Sequence, residues 1–182
     1  MNFRFSVEQE ILRRTVRAFC ENELKDNADP LPRMKQLGWL DGDTVDSVIV
    51  FEELGRVALV PAENPLFRAA CCIGSAQRAI DDAVRYAKER RAFGQLIGKF
   101  QAIAHLLADL QVETDGARWL LYQAAWLADP GAKETVVAGA ACADVLLKAT
   151  SDAMRVYGGY GLTLEFDIAH RFLDARRFVH GA

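Results

Sequence analysis

The chain of 182 residues has no long uncharged apolar run. Although 51% of its residues are hydrophobic, no window reaches the ~18 apolar residues that a membrane-spanning helix needs. Its opening, MNFRFSVEQE, carries charge where a secretory signal would be apolar. No membrane partner and a cytoplasmic location are expected. An excess of basic charge is also missing: 22 Lys and Arg stand against 25 Asp and Glu, for a formal charge of −3. Nor is there any run of five or more Lys and Arg, and without that electrostatic footprint no nucleic-acid partner is expected. Cysteine and histidine are scarce. Cys20, Cys71, Cys72 and Cys142 show no CxxC spacing, and the three histidines form no ligand pair, so the thiols read as small packing residues and no metal site is expected.

Period-two alternation is absent as well, which removes any convincing strand. What remains is helical. Ser6-Val7-Glu8-Gln9 has the form of a capping box, and the spacing predicts a helix from there to Asn22, with a loop over Asn22 to Pro30. A short helix is expected over Leu31 to Leu40, a turn and cap at Asp41-Gly42-Asp43, and a full helix over Thr44 to Val57. Three long amphipathic segments come next: Leu66 to Arg91, Phe100 to Asp129, and Glu134 to about Val156. A last helix is expected over Glu165 to Phe178. Short loops between long helices imply antiparallel neighbours. The expected fold is all-α, an up-down four-helix bundle with short N-terminal helices packed on it. Pro61 and Pro65 mark a boundary between an N-terminal helical part, residues 1–62, and the bundle, residues 63–182.

Three stretches are more particular than packing requires. Tyr86 to Asp109 reads YAKERRAFGQLIGKFQAIAHLLAD and sets Arg90, the Phe93-Gly94 bend and Gln101 around a helix–loop–helix corner. A guanidinium, an aromatic face and an amide at one corner can hold a phosphate and a ring. By spacing alone, the same residues also describe a capped corner with solvated arginines. Arg155 to Glu165 reads RVYGGYGLTLE, where glycines let the backbone approach a ligand and take positive φ. That pattern equally describes an ordinary helix stop. Near the start, Ser6 to Phe19 is followed by Leu37-Gly38-Trp39-Leu40 and Phe51-Glu52-Glu53-Leu54-Gly55-Arg56.

Together these stretches resemble the flavin-dependent acyl-CoA dehydrogenase family. The first is similar to its Y-x-x-x-R-x-x-F-G-x-x-I-x-x-x-Q motif. The second is similar to its Q-x-x-G-G-x-G-Y-x-x-E loop, with Arg155 where the family has Gln. The third is similar to its N-terminal helical domain. The resemblance implies FAD as cofactor. It matches Arg90 to the arginine on the FAD pyrophosphate, Phe93 to the phenylalanine packed on the cofactor and Gln101 to the glutamine bonded to it. Gly158 and Gly159 would present backbone to the adenine-diphosphate end, beside Arg155. In the family these groups serve the FAD of a neighbouring subunit, which implies a homo-oligomer, dimer or tetramer, or a hetero-oligomer with a fuller chain. The implied substrate is acyl-CoA or another acyl thioester.

The same resemblance exposes two gaps. The family's middle sheet domain has no counterpart between Arg56 and the helix leading to Arg90. The glutamate that removes the substrate's α proton has none either. Counted from Leu173-Asp174-Ala175-Arg176, its position falls on Ala182, or on His180-Gly181-Ala182 with a gap. Glu63 and His180 are the remaining candidates for a base. Glu165, His105 and His170 read as structural. Two functions stay open. One is a contribution to FAD-dependent α,β-dehydrogenation of an acyl thioester, as part of an oligomer or with a complementing chain, the chain alone binding FAD weakly or not at all. The other is a non-catalytic helical oligomerisation or binding module derived from that family. A different reaction on an acyl thioester is a third, for which the sequence names no chemistry.

Overall fold

The structure is a computed structural model, and it describes residues 4–24, 30–129 and 131–181. The first helix, α1 (Val7–Glu23), begins in the capping box expected from its sequence: Ser6 Oγ accepts from the Gln9 N–H at 3.2 Å while the Ser6 N–H donates to Gln9 Oε1 at 3.1 Å. It turns Val16 and Cys20 inward and sets Phe19 edge-on to Trp39, with ring centroids 5.2 Å apart. Helix α2 (Leu31–Gln36) is shorter than the sequence spacing predicts. Gly38, at φ +72°, ends the helical path before Leu40. Helix α3 (Thr44–Gly55) starts on Asp43, whose carboxylate accepts from the Asp46 N–H at 2.8 Å. Ser47 through Gly55 are buried without interruption, so this helix is enclosed on every side.

Helix α4 (Pro65–Glu89) opens on an Asn64 cap with Pro at its first position. It crosses α3 at backbone contact: a Cβ on Gly74 would fall 1.9 Å from the Glu52 carbonyl oxygen, and one on Gly55 would fall 2.3 Å from that of Cys71. Helices α5 (Gln101–Leu127), α6 (Lys133–Tyr157) and α7 (Asp167–His180) complete the bundle around α4. The last helix starts at Asp167, not Glu165, because Thr163 to Phe166 still complete the preceding turn. The core is continuous from α1 and α3 through α4, α5 and α6. A second, smaller core of Ala79, Ala83, Ala87, Ile97, Leu107, Ala153, Val156, Tyr157 and Ile168 fills one end of the bundle.

One expectation needs correction. The sequence shows no strand, yet Arg91–Ala92 (β1) and Gln95–Leu96 (β2) pair antiparallel across the α4–α5 corner, Arg91 opposite Leu96 and Ala92 opposite Gln95. Two residues per strand are too few for an alternation to register, and the turn between them forces the pairing. Among the described residues this hairpin is the only sheet, and no sheet layer lies between α3 and α4. The expected loop over Asn22 to Pro30 lies largely outside the described residues, as does Pro130 of the stop after α5. No helix among the described residues is long and apolar enough to cross a membrane.

Candidate functional site

The candidate site is built on the end of the bundle that the smaller core fills. Helix α4 stops at Arg90, which takes extended backbone angles (φ −70°, ψ 130°), while its N–H still donates to the Tyr86 carbonyl. Its carbonyl oxygen then accepts from the Ile97 N–H at 2.9 Å, which closes the hairpin into a rigid corner. Between the strands, Phe93 and Gly94 both have positive φ, +50° and +81°, the arrangement of a two-residue hairpin turn. Glycine accepts this freely; phenylalanine pays roughly 1–2 kcal/mol for it. The Phe93 side chain is 95% exposed and meets only the edge of Phe100, with centroids 6.2 Å apart.

The Gly158–Leu162 turn caps α6 beside this corner. Gly158 has φ +62° and ψ −134°, a conformation essentially reserved for glycine. A Cβ on Gly158 or Gly159 would meet nothing within 4 Å, so both present open backbone. Gly161 differs: a Cβ there would lie 2.6 Å from the Met154 carbonyl, and this glycine is required by packing. An aromatic cluster joins turn to corner. Tyr86 stacks on Tyr157 at 4.2 Å, Tyr157 meets Phe166, and Phe166 meets Tyr160. The Arg90 guanidinium lies over the Tyr160 ring at 5.2 Å, a contact of about 0.5–1 kcal/mol at an exposed site.

Arg90 and the Gly158-Gly159 turn are thus brought together. No carboxylate among the described residues pairs with Arg90, and its charge remains open to a ligand. Gln101, the first residue of α5, is exposed beside the same corner. Arg155 stands apart: its guanidinium donates to Asp152 at 2.7 Å. Glu63 is exposed just before the Asn64 cap, and His180 is exposed at the last turn of α7. Neither is enclosed.

Four buried acidic side chains lie among the described residues: Glu52, Glu53, Asp82 and Asp152. Every one is held by arginine. Glu53 receives Arg13 Nε at 3.0 Å and two bonds of 2.7 Å from Arg17. Glu52 receives Arg118 Nε at 3.0 Å and the Tyr122 hydroxyl at 2.7 Å. Burial first, then the adjacent Glu52 charge, pushes the Tyr122 pKa well above its usual value. Asp82 is shared by Arg78 and Arg85, and Asp152 is taken by Arg155. The signal for Glu52 and Glu53 was present in the sequence, as two carboxylates inside an apolar helix that must find cations. The identity of those cations, on α1 and α5, was not.

Residues 66–181 match the model of the acyl-CoA dehydrogenase C-terminal domain, nearly two thirds of the chain. The chain belongs to the acyl-CoA dehydrogenase family. A probable acyl-CoA dehydrogenase of Bacillus subtilis, YngJ, is 36% identical over 180 residues, which is 97% of this chain and 41% of YngJ. Among solved structures, one chain of the ChsE4-ChsE5 complex of Mycobacterium tuberculosis superposes with a TM-score of 0.61 at 29% identity, over 70% of this chain and 34% of that one. A glutaryl-coenzyme A dehydrogenase bound to glutaryl-CoA shares the fold across 98% of this chain and 92% of its own, at 18% identity and a TM-score of 0.84. The chain spans about two fifths of the length of YngJ. The family's members bind FAD. The corner offers groups that suit an anionic, ring-bearing cofactor: a guanidinium with no carboxylate partner among the described residues, an outward aromatic ring, and glycine backbone with nothing over it.

Proposed function

We propose that this chain contributes to FAD-dependent α,β-dehydrogenation of an acyl thioester as part of an assembly, gripping the nucleotide tail of FAD while another chain supplies the ring pocket and the base. Phe93 is the observation that carries this reading. A phenylalanine held 95% exposed at positive φ carries strain and gains little contact in return, which asparagine or glycine would avoid. Such a residue is explained by something that lands on it. In this reading Arg90 pairs with the pyrophosphate, Phe93 packs on the cofactor, Gln101 donates or accepts at its edge, and the Gly158-Gly159 backbone approaches its phosphates. Arg155, tied to Asp152, orients the turn more than it binds. Bound flavin supplies a hydride acceptor.

The base is assigned to a second chain because the buried carboxylates Glu52, Glu53, Asp82 and Asp152 are all neutralised by arginine. A general base for an α proton works from a desolvated, unpaired carboxylate whose pKa has risen toward that of the substrate. Glu63 and His180 remain the in-chain candidates, both exposed. A partner is also supported by the surface. Val112, Leu120, Trp126 and Leu127 on α5, with Val136 and Val137 on α6, are all exposed. So large an apolar face is normally covered, by a second copy or by a fuller acyl-CoA dehydrogenase chain. The same face supports the alternative, a non-catalytic oligomerisation module.

Cofactor separates the two. The protein purified alone is expected to be colourless or sub-stoichiometric in flavin. Co-expressed with a fuller acyl-CoA dehydrogenase chain from its host, it is expected to yield a yellow complex. In that complex Arg90→Ala should weaken FAD by roughly 1.5–3 kcal/mol, the cost of losing a charge-assisted phosphate contact. A flavin titration unchanged by Arg90→Ala removes the corner from the cofactor site and leaves the module reading.

A further inference from the structure

A cavity of about 810 Å³ opens between the end of α1, the turn after α3, the middle of α4 and the face of α7. It shares no lining residue with the Arg90 corner, and its size is that of a small-molecule site. Four arginines reach its wall: Arg56, Arg78, Arg85 and Arg171. Three have acidic partners. Arg56 donates to Asp81 at 2.7 Å, and Arg78 and Arg85 share Asp82 at 2.9 and 2.8 Å. Arg171 has none. Among the described residues its one hydrogen bond runs from Nη1 to the Ser75 hydroxyl at 3.3 Å, and its Nε is buried without a partner. The Arg56 Nε is buried and makes no hydrogen bond either, though it lies 3.9 Å from Glu53 Oε2.

A guanidinium taken out of water without a counter-charge is costly. Burial first, and then the like charges of Arg78 and Arg56, push the Arg171 pKa below its usual value; Asp82 and Asp167 offset this only in part. Local folding does not explain the arrangement, because α7 is already seated by Ile168, Ala169 and Ala175. An anion in the cavity does explain it.

We propose that this cavity binds a small ligand through one oxyanion group, a carboxylate or a phosphate monoester, held against Arg171. The rest of the wall limits the chemistry of the remainder of that ligand. Glu21, Asp167 and Asp174, the last paired with Arg177 at 3.4 Å, bring further negative charge to the same space, so a second anionic group is repelled and hydroxyl or ammonium donors are favoured. A polyanion is excluded; a hydroxy acid or a phosphorylated alcohol fits. The site is independent of the flavin reading and stands or falls without it.

Thermal unfolding in chloride buffer tests the proposal, with rising inorganic phosphate, L-lactate or citrate, on the wild-type chain, Arg171→Leu and Arg171→Lys. The melting temperature of the wild type should rise and saturate with phosphate, lactate or both, and less with citrate. The Arg171→Leu response should be lost or shifted roughly tenfold or more in concentration, and Arg171→Lys should keep most of it. Whichever of phosphate and lactate saturates at lower concentration identifies the oxyanion. Without ligand, Arg171→Leu should melt at or above the wild type, since it removes a partly buried charge that has no ion pair among the described residues. Equal saturation in wild type and Arg171→Leu overturns the site. So does the unsaturating rise that excluded salts give any protein, or a ligand-free Arg171→Leu that melts well below the wild type or fails to fold.

Discussion

Phe93 and Glu53 show two opposite ways in which a single side chain is held against its own preference. Phe93 sits at φ +50° with its ring in solvent. Phe93→Asn should stabilise the isolated chain by about 0.5–1 kcal/mol, because asparagine tolerates the left-handed region, while weakening flavin in the assembled complex. Urea unfolding and flavin titration read the two effects separately, and a loss of stability in the first would mean that the ring is part of the fold. Glu53 is 1% exposed and bound by Arg13 and Arg17. Breaking a buried pair costs roughly 3–5 kcal/mol. The arginines are 30% and 39% exposed, so water recovers part of that and Glu53→Ala belongs at the lower end, as a shift in the urea midpoint. The thiols give a pH test. Burial pushes Cys20, Cys71 and Cys72 up to about 12 from their usual 9.0. Their raised folded values leave stability untouched below pH 9, and stability falls as pH rises from there toward 12, because only the unfolded chain ionises. Native thiols should accordingly resist alkylation at pH 8, and rapid labelling there would contradict the burial. The corner that places Arg90, Phe93 and Gln101 was legible in the sequence, since the pattern is local. Arg171 was not, since its isolation depends on what α1, α3 and α4 fail to place beside it.

At the level of elements, glycines divide by what surrounds them. Gly74 and Gly55 let α3 and α4 touch along their backbones. Gly74→Ala drives a methyl into the Glu52 carbonyl, and it should cost at least the ~1–3 kcal/mol of an overpacked core. Gly116 on α5 and Gly139 on α6 have open space around them, and their alanine variants should gain up to ~1 kcal/mol from helix propensity alone. Thermal melts of the three variants check the division; a stable Gly74→Ala would mean that the helices sit further apart. Helix positions were readable from period and caps, with errors confined to ends, where Gly38 and the Gly158–Phe166 turn override periodicity. The hairpin at the corner was not readable, because it rests on a turn conformation and not on alternation.

At the level of the whole molecule, the proposed assembly would use the apolar face of α5 and α6 and the open Arg90 corner. Trp126→Glu should shift the protein toward monomer in light scattering, and an unchanged mass would place the contact elsewhere. Adjacent in the chain, Glu52 and Glu53 point to different partners: one is anchored to α5 through Arg118 and Tyr122, the other to α1 through Arg13 and Arg17. With the glycine contact to α4, this makes α3 a rivet between the leading helices and the bundle. The stretch that the family model recognises is accordingly expected not to fold by itself, and a recombinant fragment starting at Pro65 should be a molten, aggregating polypeptide, whereas a cooperative thermal melt of that fragment would show that it needs no rivet.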